Sequence, residues 1–347
     1  MPEAVDSQHK TDVIIVGAGP VGLFAVFELG LLGLSAHVID ILDRPGGQCA
    51  ELYPEKAILD IPSRIKITGQ ELVNDLMEQI APFKPTMHFG EMAAALAKLD
   101  NGNWKLTTDA GTVIEAPVIC IAGGGGSFTP KKPKLDRLEE FEGKSVFYSV
   151  RKMENFRGKT VMIAGGGDSA LDWTVNLNPV VSGMSLVHRR NDFRGMQATV
   201  DQMYALVKSG KVTLQIADIV RLNGTGGKLE SVTLKNAEKG EYDVPTDVFL
   251  PFYGLTMKLG PIADWGINLD SNKIPVSTEN FETNVKGIFC IGDMCDYPGK
   301  LKLILSGFHE SALMAHGSFH YARPNQKLRF EHTTSSSSIQ AKIGVSS

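Results

Sequence analysis

The chain is poor in cysteine, with Cys49, Cys120, Cys290 and Cys295 the only four in 347 residues. No pair forms a C-x-x-C, and the closest is a C-x4-C, so neither a disulfide framework nor a zinc ribbon is written here. There is no basic excess. Lys and Arg number 35 against 39 Asp and Glu, a net charge of −4, which excludes a general nucleic-acid binder. No uncharged apolar run reaches the ~18–20 residues of a membrane span. The opening MPEAVDSQHK is polar, with no apolar segment behind a basic start, so no signal peptide is expected. These absences predict a reduced, cytoplasmic, soluble protein. At roughly 150 residues per domain the length predicts about two domains, enough to bury a full core without metals or disulfides.

Glycine, by contrast, is plentiful, with 36 residues, roughly a tenth of the chain against about 7% in average usage. Their placement is informative. Residues 12–40 read as a βαβ unit: an apolar strand Val13–Val16, a helix Val21–Leu32 and a second strand Ala36–Ile39. The turn between strand and helix is Gly17-Ala18-Gly19-Pro20-Val21-Gly22, a G-x-G-x-x-G. In such a motif the first glycine makes the tight turn and the second lets a pyrophosphate approach the backbone. The third lets helix and strand pack closely. The helix N-terminus then faces the phosphates. Asp40, at the end of the second strand, is placed to hydrogen-bond a ribose hydroxyl.

The pattern recurs from Lys159 to Arg190. Its turn is Gly165-Gly166-Gly167-Asp168-Ser169-Ala170, the G-x-G-x-x-A variant. Asp40 lies 21 residues past Gly19, and His188 lies 21 past Gly167. Where the first unit has a carboxylate, the second has His188-Arg189-Arg190, with Arg194 one turn on. A carboxylate repels a 2′-phosphate, whereas arginines bind it through charge-assisted, often bidentate hydrogen bonds. Two nucleotide sites are therefore expected, one reading a free ribose and one reading NADP(H). The alternative is a tight turn beside a solvated basic face.

Val118–Ala122 reads as a buried strand leading into Gly123–Gly126, and VFLPFYG, ending at Gly254, reads as a second strand-to-glycine exit. The expected organisation is two Rossmann-like α/β dinucleotide-binding domains, one inserted in the other. The boundaries predicted are 1–127 and 251–330 for the outer domain, 128–250 for the inserted one, and 331–347 for a C-terminal segment. The last stretch, TTSSSSIQAKIGVSS, is Ser-rich and reads as a mobile tail.

The order of these motifs resembles the two-dinucleotide-domain flavoprotein reductases, with FAD in the outer domain and NADPH in the insert. Thr283 to Asp293, TNVKGIFCIGD, resembles their second FAD motif. Thioredoxin reductases of that superfamily carry a C-x-x-C in the NADPH domain, but this chain has no cysteine between Cys120 and Cys290. Glutathione-reductase-like members carry a C-x4-C after the first FAD unit, but here the second position is Pro54. A disulfide relay lacks its second thiol, and Cys49 reads as a small packed residue. What remains resembles the ferredoxin/flavodoxin–NADP(+) reductases of the thioredoxin-reductase-like type. The match rests on GGQCAELYPEKAILDIPS at 46–63, YGLTMKLGPIADWGINL at 253–269 and IGDMCDYPGKLKLILSGFHE at 291–310.

That resemblance implies roles. Asp40 binds the adenosine ribose of FAD, Gln48 contacts the cofactor and Tyr53 stacks on the isoalloxazine. Phe128 and Asp293 line the flavin, with Asp293 on the ribityl chain, and Ala93 falls near the adenine. A helix from about Leu303 to Tyr321 points its N-terminus at the flavin pyrimidine, where its dipole favours negative charge. Glu331-His332-Thr333-Thr334 resembles a segment covering the flavin, often across a dimer interface, with Thr334 binding FAD and His332 close by.

The implied chemistry is hydride transfer from NADPH to flavin N5, then single-electron transfer to ferredoxin or flavodoxin. No acid–base pair is expected. An NADPH-dependent flavin reductase or diaphorase using quinone, oxygen or another small acceptor is the alternative. Lys131-Lys132-Pro133-Lys134 and Arg64 with Lys66 are basic clusters that an acidic partner could use, or ordinary solvated loops. His309, His316 and His320 share a helix but lack H-E-x-x-H, so no metal is expected. GGGG at 123–126 is not a P-loop, since no Lys-Ser/Thr follows.

Overall fold

The computed structural model describes residues 8–328, 332–334 and 336–343. The chain forms two compact units. One comprises the described residues up to Ser127 and from Met257 onward, and the other is the continuous stretch Phe128–Thr256.

The first unit is built on a five-stranded parallel sheet. Its order is Ile288–Cys290, Val118–Ile121, Val13–Val16, Ala36–Asp40, Thr86–Phe89. VIIV and VICI are apolar at every position and wholly buried, as strands covered on both faces require. Chain order reverses beside Val13–Val16: the chain first builds toward Thr86–Phe89, then returns to add Val118–Ile121 on the other flank. Ligands of open α/β sheets bind beyond the strand C-termini at such a switch point. A second sheet runs Gln8–Lys10, Val113–Ala116, Trp104–Thr108, Ala93–Lys98, parallel in its first pair and antiparallel thereafter.

The helix after the first glycine turn spans Pro20–Leu31. Pro20 stands where its missing N–H costs nothing. Gly22, Leu23, Val26, Leu29 and Gly30, at spacings of three and four, form the buried face. The helix stops at Gly33 (φ +73°): the Gly33 amide donates to the Gly30 carbonyl and the Leu34 amide to Leu29, the paired bonds of a Schellman end. Its partner is the long helix Ile304–Ala322. The rings of Phe24 and Phe308 meet at a tilt with centroids 4.7 Å apart, and a Cβ on Gly307 would lie 2.2 Å from Val21, so the two helices are in close contact.

The second unit repeats the plan. A parallel sheet runs Thr213–Ile216, Gly183–His188, Thr160–Ala164, Val248–Pro251. The helix Asp168–Leu177 follows its central strand. An antiparallel sheet, Asp218–Thr225, Lys228–Asn236 and Gly240–Pro245, completes it. The Ser-rich C-terminus departs from a structureless tail. Ser336 caps a helix, Ser337–Lys342, by accepting from the Ile339 amide, and Ile339 is buried.

Three strands of the first unit bring His9, His37 and His88 together, with ring centroids 5.2–5.4 Å apart. His37 Nδ1 and His88 Nε2 share a 3.0 Å hydrogen bond. Burial, then the positive charge of His88 and of His9, pushes His37 down to about 4. Burial lowers His88 too, against the pull of Glu91. An imidazole depressed in the folded state takes up its proton more readily in the unfolded chain, so acid favours unfolding. The stability it contributes is whole above about pH 6.5 and is lost as pH falls toward 4. His37→Gln is therefore expected to make the fall of Tm between those pH values shallower. A slope equal to the parent's would sink the assignment.

Candidate functional site

The first glycine turn is fixed by its neighbours. Gly17 follows Val16 at φ +116°, and a Cβ there would lie 2.4 Å from the Ala122 carbonyl oxygen at the end of the adjacent strand. A Cβ on Gly22 would lie 1.9 Å from the Gly17 oxygen. Gly19 differs: φ is −69°, and nothing stands within 4 Å of where its Cβ would be. The turn is thus packed shut on the protein side and open at the helix N-terminus, the cradle a pyrophosphate fits.

Asp40 is tied to the turn directly. Its Oδ2 accepts from the Ala18 amide at 2.6 Å and its Oδ1 from Leu42 at 2.8 Å. Burial raises its carboxyl, and these two amides oppose the rise. Each oxygen keeps a lone pair for a ribose hydroxyl. Ala93 begins a strand two residues past Glu91, whose amide donates to the Asp40 carbonyl.

Gly46 (φ +114°) donates to the Ala18 carbonyl, and a Cβ on Gly47 would lie 3.1 Å from Gly19 Cα. The GGQ segment therefore lies on the first turn and brings Gln48 with it. Gln48 Nε2 approaches Gly124, and the Met294 methyl approaches Gly123. Asp293 sits in the turn Gly292–Met294. Burial raises Cys49, to about 11, with the Asp293 charge adding to it, and burial, Cys49 and, least, Asp293 raise Tyr53. Cys49 Sγ and the Tyr53 hydroxyl are 3.8 Å apart. So Gly17, Gly19, Pro20, Gly22, Asp40, Gln48, Tyr53 and Asp293 gather at one switch point.

Phe128 is in the strand Ser127–Pro130, with its side chain outside the described residues, as is Glu331 altogether. His332 and Thr334 are exposed, and their carbonyls accept from the Ser336 amide and Gln340 Nε2, bonds local to the C-terminal segment.

The second turn reproduces the first. A Cβ on Gly165 (φ +148°) would lie 2.5 Å from the Phe252 oxygen, while Gly167 again opens onto free space. Gly165, Gly167, Asp168, Ser169, His188, Arg189, Arg190 and Arg194 all line one cavity of about 670 Å³. The loop bearing the arginines is stitched to the turn. The Arg194 amide donates to the Gly166 carbonyl at 2.7 Å, and Asp168 Oδ1 accepts from Met196 at 3.0 Å. Asp168 thereby acts on the loop, a use the spacing did not reveal. His188 lies against Gly166, whose Cβ would meet its Nε2 at 2.4 Å. Burial lowers the His188 pKa, opposed by Asp192 and reinforced by the charges of Arg189 and Arg190. The three arginines are exposed, and among the described residues none pairs with a carboxylate.

Other groups are spoken for. Arg64 pairs with Asp75 and Lys132 with Glu142, so both basic clusters are partly neutralised. All four cysteines are buried free thiols. Among the described residues no group of three His, Cys, Asp or Glu is arranged for a metal, and no helix is long and apolar enough to cross a membrane.

Two such turns, in two α/β units, define a dinucleotide-dependent oxidoreductase, and the chain belongs to the pyridine nucleotide-disulphide oxidoreductase family, whose model matches residues 11–316. It is 59% identical to a ferredoxin–NADP reductase of Parvibaculum lavamentivorans, over 96% of this chain and 98% of that one. It is 58% identical to a ferredoxin–NADP reductase of Bradyrhizobium sp. (strain ORS 278), over 99% and 100%. Its fold is similar to that of the thioredoxin reductase of T. acidophilum, with TM-score 0.74 and 23% identity over 92% of this chain and all of that one. The architecture is two Rossmann-like dinucleotide-binding domains.

The first two glycines of the first turn should respond differently to substitution. Gly17→Ala meets backbone and is expected to destabilise the apoprotein by about 1–3 kcal/mol. Gly19→Val enters open space and should leave apoprotein Tm within about a degree while abolishing FAD retention, read from the visible spectrum after gel filtration. A yellow Gly19→Val protein would rule out this turn as the pyrophosphate cradle.

Proposed function

We propose that the protein is an FAD-containing ferredoxin–NADP(+) oxidoreductase. The observation that carries this reading is the pair of matched glycine turns with opposite charge at the ribose position. Asp40 serves one and unpaired arginines serve the other, in a chain with no disulfide. When bound, FAD supplies the ability to take two electrons as a hydride and release them singly.

The protein's residues supply the rest. Asp40 holds the adenosine ribose, with the backbone at Gly17, Gly19, Pro20 and Gly22 around the pyrophosphate and Ala93 beside the adenine. Asp293 holds the ribityl chain, Gln48 contacts the cofactor, and Tyr53 and Phe128 lie against the ring system. Gly165, Gly167, Asp168 and Ser169 receive the NADP(H) pyrophosphate, His188 orients the loop, and Arg189, Arg190 and Arg194 select the 2′-phosphate. In this reading the unit containing Asp40 is the FAD domain and the inserted unit is the NADP(H) domain. His332 and Thr334 cover the flavin of a second copy in a homodimer, and the protein works in the cytoplasm. The electron partner is a small acidic iron–sulfur protein or flavodoxin. The ferredoxin part of this reading is supported by the names of the relatives, ferredoxin–NADP reductases.

The test is ferredoxin-dependent reduction of cytochrome c by NADPH, with NADH as control. Arg189→Ala with Arg190→Ala is expected to raise KM for NADPH about 10- to 100-fold, the loss of one or two charge-assisted hydrogen bonds. The slow NADH rate should be unchanged. Equal effects on both nucleotides would remove the arginines from the 2′-phosphate, and NADPH oxidation indifferent to ferredoxin would overturn the acceptor.

A further inference from the structure

The long helix Ile304–Ala322 carries a carboxylate that neither glycine turn uses. Glu310 is fully buried and forms an ion pair with Lys300, itself 4% exposed. Three further donors converge on it: the Gly292 amide at 2.6 Å, the Tyr297 hydroxyl at 2.8 Å and the Cys295 thiol at 3.5 Å. Cys295 also donates to the Gly292 carbonyl at 3.2 Å. Every one of these groups lies between Gly292 and Lys300.

Buried ion pairs are costly to form, and apolar replacements often serve stability as well or better. Stability alone is therefore a weak account of this one. What the network holds is more specific. Gly292 (φ +77°) opens the turn Gly292–Met294, so the amide taken by Glu310 belongs to the residue before Asp293. Met294, on the other side of Asp293, reaches Gly123 at the switch point. The turn is thus anchored at one end by Glu310 and packed at the other against the glycine strand exit.

We propose that Glu310 is a positioning residue: through the Gly292 amide, and with its charge balanced by Lys300, it fixes Asp293 for the ribityl chain of FAD. This rests on the assignment of Asp293 made above. The fold provides its own control. Glu282 is also buried and accepts from the Gly287 amide at 2.9 Å, from Lys286 at 3.0 Å and from Tyr321 of the same helix. It grips the entrance of the strand Ile288–Cys290, whereas Glu310 grips its exit. Only the exit leads to Asp293.

The experiment is fluorescence titration of each apoprotein with FAD, alongside apoprotein thermal unfolding. Glu310→Gln and Asp293→Asn are each expected to weaken FAD binding at least about tenfold, the loss of one charge-assisted bond. Glu282→Gln should lower Tm as much as Glu310→Gln does and leave the FAD Kd within about twofold of the parent. The losses in the Glu310→Gln/Asp293→Asn double variant should fall short of additive, since one acts through the other. Tyr297→Phe removes one bond without stranding a charge, and a roughly threefold weakening is expected if Glu310→Gln does not fold. If Asp293→Asn binds FAD normally, the assignment of Asp293 fails. If Asp293→Asn weakens binding while Glu310→Gln, or failing that Tyr297→Phe, does not, or if Glu282→Gln weakens it equally, the positioning role fails and the assignment stands.

Discussion

The constraint on which this molecule depends is the contact between a strand end and the strand beside it. Parallel strands leave each chain close to its neighbour where they finish. The residue after Val16 meets the Ala122 carbonyl, and the residue after Ala164 meets Phe252. No side chain fits at either place, so Gly17 and Gly165 are required, and with them the left-handed turn that starts each helix. Once the chain turns there, the next amides point outward at the helix N-terminus. The position between, Gly19 or Gly167, is left facing open space. The phosphate cradle is thus a consequence of how tightly the sheet closes, made twice by the same geometry.

The two cradles diverge in what flanks them. Asp40 accepts two hydrogen bonds that hold the first turn and still presents lone pairs outward, so one carboxylate shapes the loop and, in the role proposed for it, also disfavours an anionic ribose. In the second unit those tasks are divided. Asp168 and the Arg194 backbone hold the loop, and three guanidinium groups are left for an anion. His188, its pKa lowered chiefly by burial, packs on Gly166 beneath that surface. The preference proposed above, for a phosphorylated ribose at one site and a free one at the other, rests on which groups are already satisfied within the protein.

Much of this was legible in the sequence because it is local. Apolar runs such as VIIV and VICI, glycines at fixed offsets and an equal 21-residue spacing all lie within one βαβ unit. The strand Val13–Val16 and the helix Pro20–Leu31 fall within a residue of their expected bounds. What escaped is non-local or weakly patterned. The antiparallel sheets alternate too irregularly to stand out, as the half-exposed Asp218–Thr225 strand illustrates. His9, His37 and His88 come from strands of two different sheets that are far apart in the chain and meet only in the fold. Glu310 reads as one more polar residue in SGFHESALM until the fold places the Gly292 amide against it. The Ser-rich end misled because composition favours disorder, while a single serine in the right place caps a helix.

The family to which the chain belongs is named for disulphide chemistry, and the structure explains how a member does without it. Thiol exchange needs a thiolate, and a thiolate needs solvent, a neighbouring positive charge or a helix N-terminus to support it. Cys49, two residues past the Gly47 that packs on the first glycine turn, has the opposite surroundings. It is buried, and the Asp293 carboxylate opposes its ionisation and holds it at about 11, leaving a negligible fraction ionised at neutral pH. Where a second sulfur would stand, Pro54 occupies the chain. Cys295 is committed to Glu310 and Gly292, and burial with the Glu310 charge raises it to about 12. Electrons arriving at the first unit therefore find no sulfur relay within the chain. In the function proposed above, the acceptor then has to reach the flavin site itself, so access to that switch point, rather than thiol reactivity, would select the partner.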